Sequence, residues 1–247
     1  MKPCLMLRFD APLMSFGGVA IDKNGPTEMH PGASMITGLL ANALGWRHRE
    51  HARHEALQAR LRVASRWDRA PEIVLDYQTA DLGQEHLMGT GWTTRGKPEG
   101  RGGGKDAAEG TTIRYRQYLA NGCATVAVAL EGPGEVSLDD LAHALQRPAR
   151  PLVLGRRNCL PAAPILLGIR QAESLYDALL QEPVAVPRRR SLEDDVEVLR
   201  LRAAWPAEEG PCAASMRQEE VADLRQWKTA VHMGTRSYTF GTLEVKA

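Results

Sequence analysis

Residues 81 to 111 read DLGQEHLMGTGWTTRGKPEGRGGGKDAAEGT, and nine of the chain's 23 glycines fall between Gly83 and Gly110. Such a stretch cannot build a core: each glycine loses the most backbone freedom on ordering and brings no side chain to bury. A structureless insert of this length is also uncommon inside a packed domain. The fold must therefore be assembled from the segments on either side, with this stretch as an excursion from it.

Those flanking segments carry clear periodicities. CLMLRF, residues 4 to 9, is a short apolar run expected to be a mostly buried first strand, and a Gly- and Pro-rich loop follows from Pro12 to Gly32. SMITGLLANALG places Ile36, Leu39, Leu40, Ala43 and Leu44 on one helical face, with Ser34 near the start and Gly45 as the stop. EHARHEALQARL is a second helical run, and RVASRWD and EIVLDYQT read as strands. The chain returns from the excursion through TIRYRQYL, in which Ile113, Tyr115 and Gln117 share one face and Arg114, Arg116 and Tyr118 the other. ATVAVAL reads as a central strand, and SLDDLAHALQ as a helix with Ser137 and Asp140 in capping-box positions and Pro148 closing it.

With PLVLG, residues 151 to 155, taken as the last strand, the order is strand, helix, two strands, helix, strand. That order predicts an α+β, ferredoxin-like (RRM-like) domain over residues 1–158, interrupted by a long glycine-rich hairpin. PILLGI, SLYDALL, VEVLRLRAAW and SYTFGTLEV then predict a small C-terminal β-rich extension over 159–247.

The formal net charge is only +1, yet seven arginines face three acids between Arg47 and Arg69, and six basic residues face three acids between Arg95 and Arg116. Local basic patches on a near-neutral chain suit a protein that meets phosphate on one face and protein on others, although single runs of this kind are usually solvated helix faces. No apolar stretch is long enough for a membrane span, and Arg8 and Asp10 interrupt any signal-peptide core, so the expected location is cytoplasmic. Cys4, Cys123, Cys159 and Cys212 form no paired spacing and read as reduced thiols.

Catalytic and metal signals are weak. His48, His51 and His54 fall at i, i+3, i+6, which reads as a solvated basic helix rather than a metal site. GGGK at 102–105 lacks the strand before and the hydroxyl after that a phosphate loop needs. His30, Tyr77 and Lys105 are the acid–base candidates, with nothing in their spacing that requires convergence. Phosphate recognition is better supported. Arg156 and Arg157 follow Gly155, where the backbone can approach closely while two guanidinium forks reach oxygens. Arg114 and Arg116 alternate with Tyr115 and Tyr118, a pattern suited to single-stranded RNA, and the helix opening at Ser34 offers free N–H donors to an anion.

LRFDAPLMSFG, HPGASMITGLLANALG, DYQTA, RQYLANGCATVAVAL and PLVLGRRNCLPAAPILLG occur in that order from residue 5 to about 170. In these segments the chain resembles the CasD subunits of type I-E CRISPR Cascade, in the RAMP superfamily, with LGRRNCLPAAP the most specific block. The resemblance implies a non-catalytic RNA-binding subunit of an antiviral ribonucleoprotein, without cofactor or metal. It would grip the crRNA 5′ handle and cap one end of the backbone. Its partners would be the backbone subunit and the large PAM-reading subunit, with target DNA met only through the complex. The handle surface would include Ser34 and its helix, Arg116, Tyr118, Arg156 and Arg157. A β-hairpin thumb would span about 79–112, with Thr79, Trp92, Arg95, Lys97, Arg101 and Lys105 as partner contacts. The alternative is a metal-independent endoribonuclease like the type I-C branch, which cuts precursor RNA with Tyr, Lys and His; no Lys-His pair occurs at the matching thumb end. A protein-binding scaffold whose arginines make salt bridges is a third possibility.

Overall fold

The computed structural model describes residues 1–19, 23–81, 90–92, 98–100, 111–185 and 198–246. In chain order the elements are β1 (Lys2–Asp10), β2 (Leu13–Met14), β3 (Asn24–Gly25), α1 (Ala33–Ala43), α2 (His51–Arg60), β4 (Leu61–Arg69), β5 (Glu72–Asp81), β6 (Thr90–Trp92), β7 (Pro98–Gly100), β8 (Thr111–Ala120), β9 (Cys123–Leu130), α3 (Leu138–Gln146), β10 (Leu166–Ala172), α4 (Leu175–Gln181), β11 (Val198–Pro206), β12 (Arg217–Val221), β13 (Arg225–Gln226), β14 (Val231–His232) and β15 (Arg236–Lys246). The class is α+β, mostly strand. No helix among the described residues is long and apolar enough to cross a membrane.

One seven-stranded sheet, ordered β10-β1-β9-β4-β11-β15-β12 and antiparallel throughout, organises the chain. The apolar run in β1 is continuous because both faces of the strand are covered. Leu5, Leu7 and Phe9 join a core with Ile36, Leu39 and Leu40 of α1 and Leu141 and Leu145 of α3. Cys4 and Met6 point the other way, into a second core with Leu175 and Leu179 of α4 and Trp205 of β11. In β9 the same split sends Val126 and Val128 to the first core and Ala127 and Ala129 to the second. The capping box at Ser137 and Asp140 is formed, and the two hydrogen bonds from Ser137 hold the Asp140 carboxyl below its usual range.

Two expectations are corrected. PLVLG is not a strand; residues 151–154 run as an irregular segment, and the strand beside β1 is β10, further along the chain. The boundary drawn at residue 158 therefore divides one sheet, since β10 pairs with β1 and β11 with β4. The sequence run was too short, and too close to Gly155, to distinguish a strand from a buried loop.

A second sheet is built on β8, which pairs with β2, β3 and β5. β5 pairs with β8 over the full register from Glu72↔Ala120 to Asp81↔Thr111, so the chain enters and leaves the glycine-rich stretch as an antiparallel ribbon. Ile73, Leu75 and Tyr77 on this ribbon are exposed.

A buried polar network ties β4 to α4. Arg66 is 0% exposed; its Nε donates to Asp68 Oδ1 at 2.8 Å, while Nη1 and Nη2 donate to the carbonyls of Leu179 and Glu182 at the end of α4. Asp68 Oδ2 accepts from Thr125 Oγ1 at 2.7 Å and from the Ala185 N–H at 2.9 Å. An ion pair this deep is tolerated because each charge is also hydrogen-bonded. Asp68→Ala strands the Arg66 charge and should lower unfolding free energy by about 3 kcal/mol or more, measurable as a shift in the urea midpoint.

Candidate nucleic-acid interface

The loop after α3 is built on one close backbone approach. The Ser15 N–H donates to the Leu154 carbonyl at 3.0 Å, and Leu154 N–H donates to Cys159 at 2.8 Å. Cys159 N–H turns back to the Arg156 carbonyl at 2.9 Å, closing the loop, with Leu154 and Cys159 buried beneath it. Gly155 has φ +100°, and a Cβ there would land on the Ser15 carbonyl. The glycine is required by the protein's own backbone, rather than by close approach of a ligand.

The two arginines that follow do different things. Arg156 donates from Nη1 to the Gln117 carbonyl at 2.7 Å and from Nη2 to the Gly25 carbonyl at 3.0 Å, and its guanidinium carbon lies 4.7 Å from the Tyr118 ring centre. Tyr118 is 2% exposed, and its hydroxyl accepts from Asn158 Nδ2 at 3.2 Å. Arg156 and Tyr118 thus pin the loop to β3 and β8; Tyr118 is not available to stack on a base, which corrects the alternating-face reading of β8. Arg157 is exposed, and no described carboxylate lies within ion-pair distance of it. Arg114 and Arg116 are exposed on β8, outside the cleft described next.

Beside this loop lies an open cleft of about 880 Å³, walled by the 15–17 loop, α1, the 150–160 segment and residues 225–232. Arg150, Arg156, Arg157, Arg225, His48 and His232 line it, and no Asp or Glu among the described residues does. Its apolar lining includes Met35, Leu39, Val153 and Leu160, the last 57% exposed. Of the expected RNA-binding residues, the structure brings Ser34, Gly155, Arg156 and Arg157 to this one cleft. Arg150, Arg225 and His232 were missed by sequence reasoning because single basic residues in turn-rich segments carry no spacing signal, and His48 was read with His51 and His54 as a solvated helix face.

The helix opening near Ser34 does not offer a free anion seat. The N-cap is Gly32; Ala33 N–H donates to Asp223 Oδ2 at 2.9 Å and Ser34 N–H to the Asp223 carbonyl at 3.1 Å. The protein's own carboxylate fills the positive end of the helix. Burial raises that carboxyl's pKa despite the Ala33 bond.

The basic run from Arg47 to Arg69 is likewise mostly consumed internally. Arg53 pairs with Glu50 and Glu135, Arg62 with Glu131 and Glu208, Arg66 with Asp68 and Arg69 with Asp10. Arg60 donates to the carbonyls of Glu131, Gly132 and Val136. His54 is not on a solvated face: it is buried, 4.6 Å from the Trp227 ring, with Nδ1–H donating to the Glu50 carbonyl. Among the described residues no group of three His, Cys, Asp or Glu is placed to hold a metal ion.

The acid–base candidates do not gather. His30 lines a different cavity with Trp67 and Phe240, its Nδ1 2.9 Å from Ser65 Oγ, while the Tyr77 ring meets Tyr115 across the ribbon. Lys105 lies outside the described residues, as do Arg95, Lys97 and Arg101; Thr79 stands opposite Ile113 near the ribbon's far end, and Trp92 belongs to β6.

Gly155→Ala should cost roughly 2–4 kcal/mol, from a positive φ and a clash with backbone that cannot rotate away, read as a lower unfolding midpoint. Burial pushes the His30 imidazole down to about 4. Because its folded pKa lies below the unfolded value, the unfolded state takes up the proton first as pH falls. Stability should therefore decline from about pH 6.5 towards 4, and His30→Gln should flatten that decline in urea titrations at several pH values.

Comparison with known proteins places this architecture. Residues 4–239 match the family described as CRISPR-associated protein (Cas_Cas5). The chain is 30% identical over 188 residues to the CRISPR system Cascade subunit CasD of Escherichia coli (strain K12), covering 74% of this chain and 79% of that one. A solved chain from a CRISPR RNA-guided surveillance complex superposes with TM-score 0.72 at 25% identity, over 99% of this chain and 91% of the other. A second, titled crystal structure of Cas protein, shares the fold with TM-score 0.60 at 24% identity, over 98% and 95%. A match over nearly the whole chain, on a fold that both solved chains share, makes this protein a member of the CRISPR-associated Cas5 family.

Proposed function

We propose that this chain is a non-catalytic, CasD-like subunit of a type I-E Cascade effector. It seats the 5′ handle of the crRNA, caps one end of the backbone and meets the large subunit. The observation that carries the reading is the cleft whose described lining holds four arginines, two histidines and no carboxylate. Basic side chains beside apolar ones are what a single-stranded nucleic acid needs, since its phosphates demand positive charge and its bases an apolar face. The similarity to a Cascade subunit and to a chain of an RNA-guided surveillance complex supports the same partners.

Two finer structural readings belong to this proposal. The order β10-β1-β9-β4, with α1 following β1 and α3 following β9, supports a ferredoxin-like core to which β11, β15 and β12 are added. The β5–β8 ribbon supports a thumb rooted near residues 79 and 112, and its exposed Ile73, Leu75 and Tyr77 fit a surface covered by a neighbouring subunit. A binder is favoured over a nuclease because His30 and Tyr77 stand in separate surroundings rather than around one cavity.

Arg157→Ala should weaken retention of handle RNA and reduce the slope of log affinity against log salt by about 0.7, the share of one single-strand phosphate contact. Arg156→Ala should instead lower the unfolding midpoint, since its donors hold Gln117 and Gly25. An unchanged salt slope in folded Arg157→Ala protein overturns the assignment of the cleft. Incubation with repeat RNA in EDTA should yield no discrete product; a defined cut would identify the endoribonuclease instead.

A further inference from the structure

We infer that the C-terminal hairpin β13–β14 is a second phosphate-binding wall of this cleft, with Arg225 and His232 binding phosphodiester oxygens of the single strand. The inference rests on the RNA-binding reading of the cleft and assigns it two contacts more than 60 residues beyond the Arg156–Arg157 loop.

The two residues act as a pair. Arg225 and His232 are directly opposite in the hairpin register, and both line the cleft. Arg225 Nε and His232 Nδ1 are shielded from solvent yet have no hydrogen-bond partner among the described residues. A buried polar atom left unsatisfied costs about 1–3 kcal/mol, so these two atoms, on residues paired across one hairpin, mark a place for a ligand that accepts from the Arg225 Nε–H and from His232 in its Nδ1–H form. No described carboxylate pairs with Arg225, whose guanidinium carbon lies 5.3 Å from the Trp227 ring centre. Phosphate is the acceptor chemistry that suits this arrangement: it is anionic, presents several oxygens, and is joined to bases that can lie on Met35, Val153 and Leu160.

The hydrogen bonds that hold the hairpin use neither the Arg225 guanidinium nor the His232 ring, which separates binding from architecture. Gln58 of α2 accepts from the Arg225 N–H at 3.2 Å and from Trp227 Nε1 at 3.3 Å, and donates to the Arg225 carbonyl at 2.9 Å. The buried Trp227 packs over Gly38 of α1 and against His54. Backbone and indole groups anchor the hairpin, and the Arg225 and His232 head groups remain for a ligand.

The test uses the full-length protein and a fluorescein-labelled single-stranded RNA carrying the crRNA 5′ segment, titrated by anisotropy at several salt concentrations. Arg225→Ala/His232→Ala should weaken binding about tenfold at low salt and lower the salt slope by about 0.7 per lost phosphate contact, with an unchanged urea midpoint. Should the midpoint fall, Arg225→Gln gives the same reading, because it removes charge while keeping a chain over Trp227. If the hairpin variants bind with wild-type affinity and slope while Arg157→Ala is impaired, the hairpin is not a wall of the site and the RNA reading stands. If Arg157→Ala is also unimpaired, the cleft does not hold RNA and both readings fall.

Discussion

The contact between the Gly155 backbone and the Ser15 carbonyl sets the shape of the cleft. Ser15 follows β2 and Gly155 lies beyond α3, so two loops distant in sequence are held with no side chain between them. Once Leu154 bonds Ser15 and Cys159 folds under it, Arg156 is drawn onto β3 and β8, and Arg157 is left facing outward. A single added methyl at Gly155 would push the loops apart. The paired arginines at this loop therefore divide their work: the first fixes the loop and the second is available to a ligand.

The same economy governs the other arginines. Arg66 closes the end of α4, Arg236 donates to the carbonyls of Gln58 and Leu61 at the end of α2, and Arg150 to those of Gly45 and Trp46 beyond α1. The last turn of a helix leaves carbonyls without intrahelical partners, and a guanidinium satisfies two at once while complementing the negative end of the dipole. With several arginines at helix ends and others in ion pairs, local charge counts along the chain are a poor guide to where an unneutralised cation lies. The informative feature is one cleft in which no described residue is a carboxylate, so that an arginine there keeps its attraction for anions.

Much of the architecture was legible because periodicity reports burial directly. The apolar face of α1, the Ser137–Asp140 box and the unbroken apolar runs of β1 and β9 each follow from local chemistry. The fourth strand of the first sheet was misplaced because PLVLG and PILLGI look alike in isolation; only pairing with β1 selects the second. Arg156 is expected from the sequence to face RNA; it lines the cleft while its own donors hold Gln117 and Gly25. Tyr118 was expected on an exposed face, and the strand instead carries it into the core, where its ring supports Arg156.

The sequence by itself determined which segments can be buried, where the helices lie, and that residues 81 to 111 are too rich in glycine to build a core. These properties depend on neighbours a few residues away, which the chain displays in order. Only the tertiary structure decided which cations are spent, for Asp10 neutralises Arg69 and Glu135 neutralises Arg53 across separations of 59 and 82 residues along the chain. It also brought Arg225 and His232 into the cleft that Arg157 lines, because the Gln58 and Trp227 anchors that place the hairpin are long-range contacts with no local signature.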